Sequence, residues 1–117
     1  MGATYVWGTL RGPTGLTHRT RFLVDSGATY SLVPHEVWTV IGLESLRRVP
    51  FGLADGTETE REVGECWMEL EPEGRGTSPV ILGEPGDSAL LGVVTLDVMG
   101  LVLNPFRRTL HPMRMLV

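Results

Sequence analysis

A short segment in the first quarter of the chain combines residue types that hydrolytic chemistry uses. Residues 22–24 form an apolar run, Phe-Leu-Val, that ends in the carboxylic acid of Asp25, and Ser26 and Gly27 follow at once. Burying a carboxylate is costly unless the group is paired or hydrogen-bonded. Gly27 lets the backbone turn and approach a ligand closely. The segment is therefore a candidate catalytic loop, although Asp-Ser-Gly alone is more typical of an ordinary turn.

The other side chains that could do chemistry form no second constellation. The three histidines, His18, His35 and His111, lack metal-ligand spacing, so we expect no metal and no cofactor. Cys66 lies in an alternating segment without a partner motif, which favours a small core residue over a nucleophile. No apolar strand leads into Asp87, and we interpret that residue as part of a turn.

Length, charge and cysteine content limit the classes of protein that fit. The 117 residues predict one domain, residues 1–117, which is too short for a two-lobed enzyme. The net charge is −4 and all ten basic residues are arginine, without the basic stripe of a nucleic-acid binder. A single cysteine excludes an internal disulfide and fits a reducing compartment. With no leader and no apolar run long enough to span a bilayer, we expect a cytoplasmic protein that binds neither nucleic acid nor membrane.

Short β-strands separated by turns must position the Asp25 segment. A strand over Thr4–Leu10 and a second over Leu16–Val24 predict a hairpin, because the residues between them are turn formers. A short helix is predicted from Pro34 to Ile41, capped by Gly42, with its apolar face at positions 37, 40 and 41. Asp-Gly at positions 55 and 56 is a strong hairpin signal.

The second half of the chain continues the same pattern. The return arm of the Asp-Gly hairpin alternates, with glutamates at 58, 60 and 62 on one face, and alternation resumes beyond Gly64. A short buried strand is predicted over Val80–Leu82, a helix over Val93–Met99, and a strand over Leu101–Leu103. Residues 108–117 could form a last strand. The whole chain is predicted to be mostly β with one or two short helices.

Taken in order, these features resemble the retropepsin-like (retroviral-protease-like) aspartic proteases, single-domain chains that act as homodimers. Residues 24–29, Val-Asp-Ser-Gly-Ala-Thr, match the family's Asp-Thr/Ser-Gly-Ala signature, and residues 53–64 occupy the place of its flap hairpin. Leu-Leu-Gly at 90–92 matches the motif that passes against the catalytic loop, and a short helix and a tail follow. The resemblance covers nearly all of the chain. It implies an all-β, closed retropepsin-like barrel with one or two short helices and a C2 homodimer.

The resemblance also implies a mechanism and a set of site residues. Asp25 would face Asp25 of a second protomer, and the two carboxylates would share one proton and activate a water that attacks the peptide bond. Ser26 would lock the two loops across the dimer, and the Gly27 carbonyl would bind the substrate backbone. An extended peptide with apolar side chains at the cut would lie beneath the flap. The implied substrate-binding residues are Ala28, Ala54, Asp55, Gly56 and Thr57.

Departures from the family pattern leave alternatives open. Ser26 replaces the commoner threonine, the flap tip lacks the Gly-rich sequence of viral enzymes, and the tail contains Pro105 and Pro112, so we expect a differently built dimer interface. One alternative is a catalytically silent dimerisation or peptide-binding module on the same fold. Another is an unrelated β-barrel with a chance turn. The unrelated β-barrel is favoured if the Asp25 loop and the Leu91-Gly92 segment lie apart, and it is discarded if they cross.

Overall fold

The computed structural model describes residues 2–117, which form nine β-strands and two short α-helices. The strands are β1 (Tyr5–Arg11), β2 (Thr17–Val24), β3 (Ser31–Val33), β4 (Arg47–Gly52), β5 (Glu58–Leu70), β6 (Arg75–Leu82), β7 (Leu90–Leu91), β8 (Leu101–Asn104) and β9 (Thr109–Pro112). The helices are α1 (His35–Ile41) and α2 (Val93–Met99). The prediction of a mostly β chain with two short helices is confirmed.

Seven strands form one sheet in the order β1-β2-β7-β3-β6-β5-β4. Strand β1 also pairs with β5, so six of these strands make a closed ring of hydrogen-bonded neighbours, with β4 attached to the outside of β5. Strands β8 and β9 form a separate two-stranded sheet. Ring closure leaves β4 as the strand whose far edge is free within this sheet, which limits the exposed backbone groups.

The predicted hairpin of β1 and β2 is confirmed and carries the chain to Asp25. The two strands pair antiparallel from Tyr5 opposite Leu23 to Arg11 opposite Thr17. Alternate side chains of β2 point inward, so Phe22 and Val24 are buried in the core. Because Val24 is the last residue of the strand, Asp25 emerges at the rim of the sheet.

Strand β5 is long and changes both its partner and its buried face along its length. It pairs with β4 up to Val63 and with β6 from Val63 onward. A straight strand would put positions 62 and 66 on one face, but Glu62 is only half-buried while Cys66 is buried. The change occurs at Gly64, where a Cβ atom would lie 2.6 Å from the backbone oxygen of Glu44. Glycine therefore allows β5 to cross close to the chain that leads into β4.

Both predicted helices form, with small differences from the predictions. Helix α1 begins at His35, and Pro34 precedes it as the N-cap instead of occupying the first turn. Val40, which was predicted to share the apolar face, is 60% exposed. Glycines in left-handed conformation, Gly42 and Gly100, end α1 and α2. No helix within residues 2–117 is long and apolar enough to cross a membrane.

Candidate active site

The Asp25 loop is a tight turn whose own backbone orients the carboxylate. The Gly27 amide donates a hydrogen bond to Oδ1 of Asp25 at 2.9 Å, and the Ala28 amide donates to the Asp25 carbonyl oxygen at 3.1 Å. Asp25 is half-buried, whereas Ser26 and Gly27 are exposed. In the described part of the chain, Oδ2 accepts no hydrogen bond, so it is available to a water or to a second carboxyl group.

The Asp25 loop and the Leu91-Gly92 segment cross. Strand β7 lies between β2 and β3, parallel to the first and antiparallel to the second. The Asp25 amide donates to the Leu91 carbonyl oxygen at 3.0 Å, and beyond the crossing the Val93 amide donates to the Ala28 carbonyl oxygen at 2.9 Å. These two hydrogen bonds hold the loop on both sides of the carboxylate.

Gly92 makes this crossing possible because the two backbones touch there. A Cβ atom at Gly92 would lie 2.7 Å from the carbonyl carbon of Tyr30 and 2.9 Å from the carbonyl oxygen of Ala28. Both neighbours are backbone atoms, which cannot rotate away as a side chain would. The glycine of the Leu-Leu-Gly motif is thus explained by close approach and not by a positive φ.

Three buried hydroxyl groups, which we call the hydroxyl triad (Ser31, Ser78 and Thr95), hold the crossing from behind. Thr95 Oγ1 hydrogen-bonds to Ser31 Oγ at 2.5 Å and to Ser78 Oγ at 2.8 Å. Ser31 Oγ also accepts the Gly92 amide at 2.9 Å. All three side chains are fully buried, and every buried side-chain polar atom of the described residues has a partner. The triad therefore links β3, β6 and α2 to the glycine at the crossing.

Sequence reasoning missed the hydroxyl triad, along with strand β3. The available signal was a hydroxyl at positions where the surrounding residues are apolar: Ser31 precedes Leu-Val, and Thr95 lies within Val-Val-Thr-Leu. Ser31 and Thr95 are 64 positions apart in the chain. Because their partnership depends on the tertiary structure, local pattern alone does not pair them.

A groove of about 290 Å³ runs between the Asp25 loop and the β4–β5 hairpin. Its walls are mostly apolar, and the residues that line it are Gly27, Ala28, Thr29, Tyr30, Leu32, Phe51, Gly52, Leu53, Thr59, Arg61, Ile81 and Leu90. One wall thus begins two residues beyond Asp25, and the opposite wall is the base of the predicted flap. The arrangement leaves an open slot that begins next to the Asp25 loop.

Two polar contacts fix the rims of this groove. Arg47 donates a hydrogen bond to the Tyr30 hydroxyl at 2.9 Å, and the Tyr30 ring makes an edge contact with Phe51. On the other side, the guanidinium of Arg61 pairs with Asp87 in a partly buried ion pair. Asp87 also accepts the Glu84 amide, so it belongs to a turn as predicted. The pair ties β5 to the loop that leads into β7.

The tip of the predicted flap does not belong to the lining of this groove. Residues 54–57 are exposed and line no part of it, so of the five implied substrate-binding residues only Ala28 does. The tip is instead an independent turn in which Asp55 Oδ1 accepts the amide of Thr57 at 2.9 Å and its hydroxyl at 2.6 Å. Those hydrogen bonds lower the pKa of Asp55.

Ser26 does not line the groove. It borders a second cavity of about 270 Å³, which is lined mainly by apolar side chains of α2, β8 and the segments beside β8. Val93, Leu96 and Val102 are among them, and Val102 is 49% exposed. An apolar surface thus adjoins the hydroxyl that the resemblance assigns to contact with a second protomer.

Cys66 is a core residue. Its side chain is 2% exposed within the main hydrophobic cluster, and burial raises the pKa of its thiol to about 12. Such a thiol carries almost no thiolate near neutral pH and is a poor nucleophile. This agrees with the interpretation from sequence.

Comparison with known proteins adds no family assignment. No protein-family model matches the chain, and no curated protein sequence matches it.

Proposed function

We propose that the chain is an aspartic endopeptidase in which Asp25 of two identical protomers forms the catalytic pair. The observation that carries the proposal is the crossing of the Asp25 loop with Leu91-Gly92, hydrogen-bonded from Asp25 to Leu91 and from Val93 to Ala28. An ordinary surface turn needs no such support. A loop held on both sides, with a glycine at the contact, keeps a carboxylate fixed at the mouth of a groove.

The proposal extends to the fold. We infer that the closed ring of six strands is the barrel of the retropepsin-like proteases, with the β4–β5 hairpin as its flap. The order of elements supports this: a catalytic loop after β2, a long hairpin, a short strand threaded between β2 and β3, and then α2. The Asp-Ser-Gly-Ala motif lies on one of the two segments that cross, and the Leu-Leu-Gly motif lies on the other.

The chemistry needs two carboxyl groups and one water. Two carboxylates about 3 Å apart cannot both ionise at low cost, so the pair holds a single proton. The ionised carboxylate takes a proton from the water while the water oxygen attacks the peptide carbonyl carbon. The protonated carboxyl group donates its proton to the carbonyl oxygen. The Gly27 hydrogen bond to Oδ1 supports this role because it fixes the plane of the carboxylate.

The groove beneath the hairpin supports an extended peptide as substrate. An extended chain can pair its backbone along the exposed loop at Gly27 and place alternate side chains in the slot. The wall residues Leu53, Ile81 and Leu90 favour apolar side chains there. Closure of the flap over the peptide would exclude bulk water while leaving the attacking water between the two carboxyl groups.

A homodimer is part of the proposal because one protomer supplies one aspartate. The apolar surface beside Ser26, formed by α2 and β8, is the face we assign to the dimer. Among residues 2–117, strand β8 pairs only with β9, so its other edge has backbone groups free to pair. This fits an interface built from the tail hairpin.

The test is cleavage of a mixed peptide library by the wild-type chain and by Asp25→Asn, over about pH 3–7. We expect the wild type to cut and Asp25→Asn not to cut, while both form dimers in analytical ultracentrifugation. The matched control is Glu36→Gln, which neutralises an exposed acid on α1 and should cut like wild type.

Two other results of this experiment would contradict the proposal. A folded wild-type dimer that binds peptides without cutting them would support a silent peptide-binding module on the same fold. Equal residual cutting by wild type and Asp25→Asn would mean that a contaminant is responsible and that Asp25 is not the catalytic group.

A further inference from the structure

The outer face of the β1–β2 hairpin carries exposed aromatic rings stacked with arginines. The Cζ atom of Arg19 lies 4.1 Å from the ring centroid of Trp7, and that of Arg21 lies 3.8 Å from the ring centroid of Tyr5. Trp7 is 41% exposed and Tyr5 is 47% exposed. Large exposed rings of this kind are enriched where proteins bind partners.

These rings form one wall of a groove of about 500 Å³ between β1 and β9, which we call the arginine–aromatic groove. Besides the two rings, the residues that line it include Glu71, Glu73, Arg107, Arg108 and Leu110. None of them lines the groove beside Asp25. The arginine–aromatic groove is therefore a separate surface, and what it binds does not depend on the proposed catalysis.

Two arginines at the rim of this groove are held by the turn between β8 and β9. Asn104 Oδ1 accepts the amides of Phe106 and Arg107, each at 3.1 Å, which fixes the course of the turn. Arg108 has a positive φ of 55°, a conformation uncommon outside glycine. The backbone geometry thus presents Arg107 and Arg108 together beside the aromatic wall.

The charged side chains in and beside the groove carry a small positive net charge. Glu71, Glu73, Arg107 and Arg108 line it, and Arg19 and Arg21 lie beside it, stacked on its aromatic rings. Arg19 is paired with Glu71 at 2.9 Å. Arg21, Arg107 and Arg108 have no carboxylate oxygen within 4.0 Å among residues 2–117. Two guanidinium groups without a carboxylate partner thus line the mostly apolar slot, and that of Arg21 lies beside it on the Tyr5 ring, in a chain whose net charge is −4.

We propose that the arginine–aromatic groove binds an acidic peptide segment of a partner protein. Carboxylates of the segment pair with Arg21, Arg107 and Arg108, whose planar guanidinium groups suit two-point contacts. One apolar side chain of the segment lies between Trp7 and Leu110. A nucleic acid fits less well, because one face of each aromatic ring is already covered by Arg19 or Arg21 and is not open to base stacking.

The experiment measures binding of a fluorescent hexapeptide, two leucines flanked on each side by two glutamates, to the full-length Asp25→Asn chain by anisotropy. That variant prevents cleavage of the probe, and the wild type is measured in parallel. We expect the same peptide with lysines in place of glutamates to bind at least about tenfold more weakly. Raising the salt concentration should weaken binding of the acidic peptide.

Variants locate the binding to this groove. Arg107→Glu/Arg108→Glu should weaken binding at least about tenfold, and Arg21→Glu, on the opposite rim, provides a second variant should the first fail to fold. Arg75→Glu, an exposed arginine on β6 outside the groove, is the matched control and should bind within about twofold of the parent. Trp7→Ala should weaken binding because it removes the apolar wall.

Three results would overturn the proposal. The first is no binding of the acidic peptide, or equal binding of the acidic and basic peptides. The second is equal loss of binding in Arg75→Glu and in the groove variants, which would indicate a general charge effect. The third is displacement of the peptide by a single-stranded oligonucleotide at lower concentration than by unlabelled peptide, which would assign the groove to nucleic acid.

Discussion

At the scale of single residues, some features of the candidate site could be predicted from the sequence and others could not. Asp25 and Gly27 could be predicted because their relationship is local: an acid at the end of an apolar run and a glycine two positions on. The Gly27 amide does donate to Asp25 Oδ1 at 2.9 Å. The link between Ser31 and Thr95 could not be predicted, because it joins residues 64 positions apart.

The hydroxyl triad gives a prediction about stability. Thr95→Val keeps the shape of the side chain but removes hydrogen bonds to Ser31 and Ser78 in a fully buried place. We expect the free energy of unfolding to fall by about 1–3 kcal/mol, because Ser31 and Ser78 lose their hydrogen bonds to Thr95 without gaining water in exchange. Urea denaturation followed by circular dichroism measures the change.

The matched control for Thr95→Val is Thr39→Val. The Thr39 hydroxyl also donates a hydrogen bond, to the His35 carbonyl oxygen at 2.8 Å, but it is exposed on α1. Water can replace that bond, so the free energy of unfolding should change by no more than about 0.5 kcal/mol. Equal effects of the two variants would contradict a special role for the buried triad.

Cys66 gives a prediction about reactivity. Burial raises the pKa of its thiol to about 12, so the reactive thiolate is scarce at pH 8 and its sulfur is shielded. We expect a disulfide reagent such as dithiobis-nitrobenzoate to label the folded chain slowly and the urea-unfolded chain at once. Rapid stoichiometric labelling of the folded chain at pH 8 would show that Cys66 is accessible after all.

At the scale of elements, hairpins and helices were predictable and strand neighbours were not. The β1–β2 hairpin, α1 and α2 are set by turn residues, caps and alternation within each segment. Strand β3 has three residues and β7 has two, which is too short for a period to show. Both strands form because they pair with each other and each also pairs with one more strand of the ring. The change of face at Gly64 is likewise imposed by a change of partner.

Gly92 gives a prediction at the crossing of two elements. In Gly92→Ala the new methyl group would press on backbone atoms of Tyr30 and Ala28. We expect the free energy of unfolding to fall by about 1–3 kcal/mol, as for other overpacked positions. The matched control is Gly52→Ala on β4, where a Cβ atom meets nothing within 4 Å. Thermal unfolding of both variants measures this, and a Gly92→Ala chain as stable as Gly52→Ala would contradict the close crossing.

The turn at Asp55, the tip of the predicted flap, gives a prediction about pH. The hydrogen bonds from Thr57 lower the pKa of Asp55 in the folded chain. A lowered folded pKa means that the turn is stabilised above the ordinary pKa of an aspartate, and that this stabilisation is lost as the pH falls through the lowered value. We expect the Thr57 amide resonance to shift over that acidic range in an NMR titration. A Thr57 resonance in Asp55→Asn that titrates as in wild type would show that Asp55 is not the cause.

At the scale of the whole molecule, composition and pattern predicted a mostly β chain but not how its sheet closes. Ring closure depends on four residues of β1 pairing with β5, from Gly8 opposite Leu70 to Arg11 opposite Trp67. These strands are far apart in the chain, and no local pattern in either one indicates that it pairs with the other. The proposed catalytic centre is likewise incomplete in one protomer, because each chain supplies only one Asp25 loop.

The measurement that tests the central claim most directly is the activity of mixtures of wild-type and Asp25→Asn chains at constant total concentration, after subunits have exchanged. If a pair of Asp25 side chains is required, only dimers with two wild-type chains cut peptide, and activity follows the square of the wild-type fraction. An equal mixture should then keep about one quarter of the activity. Retention of about one half, in direct proportion to the wild-type fraction, would contradict a shared dyad and show that each chain acts alone.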